Sequence, residues 1–190
     1  MSEPAEAAPG KGARRRAALV EAAASLILER GPAAVTHRLV AERAQSSLSA
    51  TTYYFRDLAE LVGAGAELIS GLWAEQAEWV AERADARAEE GLVPPEEATE
   101  LLCDALLPPA AGVRGHYEQL AGAGRSPEAA AAYRAGRERL DAAIARLLTA
   151  VGSPCPAELA LAVVDGAAVA ALSEGRDPRE NARRLLAHVL

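Results

Sequence analysis

The sequence predicts an all-α protein of about nine helices, on three observations. Strand signals are nearly absent, because Ala, Leu, Glu and Arg dominate and β-branched runs are missing. Apolar residues recur at three- and four-residue spacing along most of the chain. Proline and glycine clusters (Gly31-Pro32, Pro94-Pro95, Pro108-Pro109, Ser126-Pro127, Gly152-Ser153-Pro154) cut that pattern into helix-sized pieces. With 190 residues, 51% of them apolar and 25% charged, one or two domains can each bury a core. No run of about 20 apolar residues occurs, so no membrane span is expected. The opening MSEPAEAAPGKG has no apolar centre; it predicts a disordered tail over 1–12 rather than a secretory signal. Cys103 and Cys155 make no disulfide framework and fit a reducing cytoplasm.

The first helix runs to about Arg30, with Leu19, Ala23, Leu26 and Ile27 as its buried stripe, and Gly31-Pro32 ends it. Thr36 is an N-cap for a second helix whose Leu39, Val40 and Ala44 share one face. Gln45-Ser46-Ser47 breaks the pattern, and either serine can cap a third helix, Leu48 to Tyr54. Asp57 and Glu60 have capping-box spacing and open a long helix to about Glu90. Its expected stripe is Leu58, Leu61, Val62, Leu68, Ile69, Leu72, Trp73 and Val80. A short helix covers 95–107 with Leu101, Leu102, Ala105 and Leu106 inward. The piece 110–121 holds Gly112 and Gly115 and should be a weak helix. Helix 127–151 carries Tyr133, Leu140, Ile144, Leu147 and Leu148. Helix 156–174 is apolar nearly all round, so it must be buried on more than one side. Asp177-Pro178 starts the last helix, with Ala182, Leu185, Leu186 and Val189 on one side.

The stretch Thr36 to Phe55 is two short helices joined by a tight corner, and the second has short hydroxylic groups (Ser49, Thr51, Thr52) on its outward side. Small polar side chains let a helix enter a major groove and reach base edges or phosphates. That is helix-turn-helix geometry, with the second helix as reader. Charge agrees. From Lys11 to Arg56 eight Lys/Arg oppose three acids, a net +5, whereas residues 57–190 carry −10. A basic head on an acidic body suits a polyanion at one end; on its own the asymmetry reads more readily as a solvated charged face.

Here the chain resembles the N-terminal domain of TetR-family transcriptional regulators. The resemblance runs from Arg15 through Leu19, Ala22-Ala23, Leu26, Gly31, Thr36, Val40-Ala41, Ala44 and Ser47 to the closing Tyr53-Tyr54-Phe55 and Leu61, about the first third of the chain. Gln45 stands where the family usually has Gly; a left-handed backbone there would cost about 1–2 kcal/mol. Ser46 replaces a usual apolar residue, and Leu58 replaces a Lys whose charge Arg56 can supply.

The resemblance implies a tail at 1–12, a DNA-binding domain at 13–56 and a ligand-binding and dimerisation domain at 57–190. The DNA-binding set is Arg14, Arg15, Thr36, His37, Arg38, Ser46, Ser47, Ser49, Thr51, Thr52, Tyr53, Tyr54 and Arg56. Within it, His37 is either a phosphate contact or an exposed bystander, and Phe55 is assigned to the core. The ligand set is Trp73, Leu102, Leu106, Tyr117, Tyr133 and Asp165; Trp73 is a pocket wall or a core Trp, and Trp79, six residues on, should face elsewhere. The last two helices imply a homodimer through Val164, Leu172, Leu185, Leu186 and Val189, with half-sites about 34–36 Å apart or a multiple of that; the alternative is that 156–174 is the central helix of a monomer. Segment 110–121 is the expected moving part, transmitting to helix 57–90. His37, His116 and His188 lack metal-ligand spacing, neither Cys has a CxxC partner, and no metal or cofactor is expected.

The expected function is a DNA-binding regulator, most simply a repressor released from double-stranded operator DNA by a small hydrophobic molecule, neutral or cationic given the acidic body. The alternative is an all-α interaction protein or small helical enzyme without DNA binding.

Overall fold

The computed structural model describes residues 10–190, which form nine α-helices and one 3₁₀ turn, with no strand among the described residues. They are α1 (Lys11–Arg30), α2 (His37–Arg43), α3 (Leu48–Tyr54), α4 (Leu58–Glu89), α5 (Pro95–Leu106), α6 (Val113–Ala123), α7 (Pro127–Ala150), α8 (Ala157–Glu174) and α9 (Pro178–Leu186), with the 3₁₀ turn at Pro32–Ala34. The tail expected at 1–12 falls mostly outside the described residues. Lys11 and Gly12 are already helical, so Arg14, Arg15 and Arg16 lie within the first turns of α1.

Local chemistry sets these boundaries. Thr36 Oγ1 accepts from Leu39 N–H at 3.2 Å and Ser47 Oγ from Ala50 N–H at 3.3 Å. Asp57 Oδ1 accepts from Glu60 N–H at 2.9 Å while Glu60 Oε2 accepts from Arg56 N–H at 2.8 Å. At the corner, Ser46 N–H donates to Ala41 O (2.9 Å) and Gln45 N–H to Glu42 O (3.2 Å), which is the Schellman arrangement. Gln45 has φ 49°, the left-handed position where a Cβ is costly.

Two apolar clusters organise the packing. One joins Leu19, Leu26, Ile27, Val40 and Phe55 of the head to Leu61, Val62, Ala66 and Ile69 of α4 and to Ala123, Ala129 and Ala132. The head core therefore runs past residue 56 into the first half of α4. The other joins the second half of α4 with α5, α7, α8 and α9 around Leu102, Ile144, Leu147, Val164 and Leu186. Leu58 and Leu72, expected in the α4 stripe, are exposed at 36% and 52%. The helix continues the spacing, but no neighbour covers that side.

Three glycine positions let helices approach closely. A Cβ on Gly65 would stand 3.0–3.2 Å from atoms of Ala23, Ala24 and Ile27 on α1. On Gly136 it would stand 2.8 Å from Ser70, at the α4–α7 crossing. On Gly115 it would stand 3.1 Å from Leu28 O, where α6 rests on α1. Segment 110–121, expected to transmit to α4, bears chiefly on α1 and the 3₁₀ turn and also meets α4, where the His116 ring packs 4.6 Å from Trp73.

Candidate nucleic-acid interface and effector cavity

Helix α3 projects Ser49, Thr52 and Tyr53 outward, with Tyr53 81% exposed and set edge-on to Tyr54 at 4.9 Å. Tyr54 is half-buried against α1, its hydroxyl close to Gly12. Phe55 is 1% exposed with the Arg16 guanidinium 5.0 Å above its ring. Arg14 and Arg15 share a surface cleft with Gln45, Ser46 and Ser47, so the start of α1 and the corner before α3 form one face. Thr36, Arg38 and Arg56 are exposed on the same head. Two hydroxyls of this set also serve the fold, Thr36 and Ser47 as caps. His37 is half-buried, with Nδ1 enclosed and unpartnered among the described residues.

One position in that set is corrected. Thr51 is fully buried and its hydroxyl donates to Leu48 O at 2.7 Å, so it faces the head core and cannot meet a base. Thr52, one residue on, turns outward and bonds Ser49 O at 3.2 Å.

Α cavity of about 160 Å³ lies inside the body, between α4, α5, α6, α7 and α8. Trp73 is on its wall, 4.6 Å from His116 and 5.3 Å from Tyr133 between ring centres. Leu106, Leu120, Leu140 and Leu161 supply the apolar lining. Asp165 is the one acid among the lining residues and Arg137 the one base, the latter bonded to Asp141 at 2.6 Å. Tyr117 OH donates to Asp165 Oδ1 at 3.0 Å, and burial pushes the Asp165 carboxyl above its usual range. Burial also holds His116 down to about 4, so its ring is neutral near pH 7; Nδ1 has no partner among the described residues.

The ligand set is corrected at two residues. Leu102 is 0% exposed in the core of α5 and does not reach the cavity. Tyr117 stands behind the wall, 7% exposed, positioning Asp165 rather than lining the space. Sequence reading missed His116, Gln76 and Arg137 on the wall and Gln119 behind it. The signal that marks His116 is its helical spacing from Leu120, four residues on, which also lines the cavity.

The dimer set is also corrected. Val164 and Leu186 are 0% exposed inside the protomer's own core. The outward face of α8 is instead Leu159, Ala162, Gly166 and Val169, with Leu159 and Val169 45% and 52% exposed. Leu172, Leu185 and Val189 are half-buried. Helix periodicity identifies an apolar helix, but which of its sides the same chain covers depends on the packing of α5, α7 and α9. Among the described residues no helix is long and apolar enough to cross a membrane.

Comparison with known proteins fits this geometry. No curated protein matches the chain. A multidrug-binding protein, EbrR, solved with proflavin, is 27% identical over 93% of this chain and 99% of its own, with a TM-score of 0.65. EbrR has also been solved with ethidium and with malachite green. A TetR-family member from Streptomyces coelicolor A3 is 28% identical over 93% of this chain and 98% of its own, with a TM-score of 0.62. A TetR-family regulator from Mesorhizobium loti, 18% identical with a TM-score of 0.70, shares the fold over 96% of this chain and 98% of its own. The family profile for the tetracycline repressor-like C-terminal domain matches residues 93–190, just over half the chain. The chain belongs to the TetR family of ligand-responsive DNA-binding transcriptional regulators.

Proposed function

We propose that the protein is a homodimeric repressor that leaves its operator when an aromatic cation enters the α4–α8 cavity. On DNA, Tyr53, Thr52 and Ser49 face the major groove, and Arg14, Arg15, Arg38 and Arg56 meet phosphates on either side. The exposed apolar stripe of α8, with Leu185 of α9 and Val189 in the turn after it, forms the dimer contact; a solvent-exposed row of this kind favours a partner. Val169→Glu should then give monomers in sedimentation, and a variant that stays dimeric rejects this face.

The observation that carries the ligand reading is the cavity's charge: three aromatic rings, an apolar lining and one carboxylate whose facing base is already paired. A partly buried carboxylate without an ion-pair partner among the described residues favours a cationic guest, and indole and phenol faces add to it. The dyes carried by EbrR, all aromatic cations, have the same chemistry.

The mechanism is a population shift. An effector that prefers the DNA-incompetent arrangement weakens operator binding by its differential affinity, and DNA weakens effector binding equally. The path begins at Tyr133, whose hydroxyl bonds Gln119 of α6, and ends where Gly115 of α6 touches Leu28 of α1. A gel-shift on DNA upstream of the protein's own gene, repeated with ethidium, tests both halves. A retarded band lost on adding ethidium is expected; no retarded band on any upstream fragment rejects the operator reading, and a band indifferent to aromatic cations rejects the effector reading.

A further inference from the structure

The cavity, about 160 Å³, is smaller than the roughly 300–1,000 Å³ that usually hold drug-sized ligands. It does not stand alone. Trp73, Gln76, Leu107 and Pro108 line it and also line an outer groove of about 510 Å³ between α4, the α5–α6 connection and the start of α9. The partition between the two spaces is therefore made by these side chains and by a non-helical stretch, Leu107 to Gly112. Gln76 Nε2 donates to Asp104 O at 3.1 Å across it. The two spaces together fall inside the usual size range.

The outer groove has its own recognition chemistry. Trp79, 53% exposed, lines it, as does Asp104. The Arg83 guanidinium lies 4.8 Å over the Trp79 ring, and its Nη1 reaches Asp104 Oδ2 at 3.4 Å. Asp104 Oδ1 is held separately by Arg179 at 2.6 Å. A planar cation belonging to the protein thus already occupies an indole face beside a carboxylate. Its bond to Asp104 is long and its side chain is 45% exposed, so it can be displaced into water at little cost.

We propose that the effector site is bipartite: Trp79 and Asp104 form an outer subsite for a second planar cationic group, and the matching ligand is an elongated aromatic dication reaching from Asp165 to Trp79. This rests on the effector reading above and adds a second anchor to it. One end pairs with Asp165 among Trp73, His116 and Tyr133. The other replaces Arg83 over the indole, so the charge beside Asp104 is conserved while Arg83 returns to solvent. Trp73, Gln76, Leu107 and Pro108 border both spaces, and movement among them lets the two communicate.

Calorimetric titration of the full-length protein with benzamidinium and with a bis-amidine of two phenyl rings joined by an alkyl chain tests the proposal. Wild type should bind the bis-amidine at least about tenfold more tightly. Trp79→Ala should weaken the bis-amidine by about tenfold and leave benzamidinium unchanged, while Trp79→Phe restores most of the loss. Arg83→Ala should tighten the bis-amidine a few-fold, because it removes the internal competitor. A bis-amidine affinity unmoved by Trp79→Ala, with benzamidinium still sensitive to Asp165→Asn, overturns the outer subsite and leaves the effector reading standing. Absence of binding by either amidine to wild type overturns both.

Discussion

The hydroxyl of Tyr133, on the cavity wall, donates to Oε1 of Gln119 at 2.7 Å, and Gln119 is 1% exposed with its Nε2 unpartnered among the described residues. The amide is thus half satisfied in a dry place, where an unmade hydrogen bond costs about 1–3 kcal/mol. Removing the hydroxyl leaves both ends of the amide bare. Removing the amide too removes the problem.

Tyr133→Phe should therefore lower stability by about 1–3 kcal/mol, and the double variant Tyr133→Phe/Gln119→Leu should recover most of it. Thermal or urea unfolding of the two variants gives the answer. A double variant as unstable as the single one contradicts this account of the pair.

Gln45→Gly should stabilise the head. The left-handed φ of 49° penalises a Cβ, and the turn's two backbone hydrogen bonds need no side chain. The expected gain is about 1 kcal/mol, offset in part by the greater freedom of Gly in the unfolded chain. The midpoint of urea unfolding reads it; a fall in stability means the corner is not strained.

Tyr53→Ala should weaken operator binding by about 1–3 kcal/mol and leave the melting temperature nearly unchanged, since the ring is 81% exposed. Thr51→Val should do the reverse, retaining operator affinity while altering stability, because its hydroxyl is spent on Leu48 O inside the head. Fluorescence anisotropy with labelled operator, beside a thermal melt, separates them. A Thr51→Val protein that folds normally but loses the operator puts that helix face back in the groove.

The affinity for a cationic effector should fall with acid over an unusually high range. Asp165 has its folded carboxyl raised above the usual value by burial, so it takes up a proton before an exposed carboxylate would. Binding of a permanent cation is full above that raised value and lost as pH falls through it. Asp165→Asn should bind ethidium weakly and with a flat pH profile. Titrations that show the same slope in both proteins rule out Asp165 as the counter-ion.

What the sequence determined by itself was local. Thr36, Ser47, Asp57 and Asp177 each cap the helix they precede, and Gly31-Pro32 and Pro108-Pro109 end helices where expected, because capping and φ restriction act within a few residues. The strained corner at Gln45 followed from the same short-range chemistry. Only the tertiary structure decided which faces were covered. Thr51 is buried because α3 turns that side to the head core. Val164 and Leu186 are interior because the protomer's own helices cover them, leaving Leu159 and Val169 outside. The cavity's charge came from Asp165, held by Tyr117 from 48 residues away, and its aromatic wall from His116 meeting Trp73. Such pairs depend on where whole helices cross, and crossings are set by close approaches such as Gly136 on Ser70, which no spacing along one helix encodes.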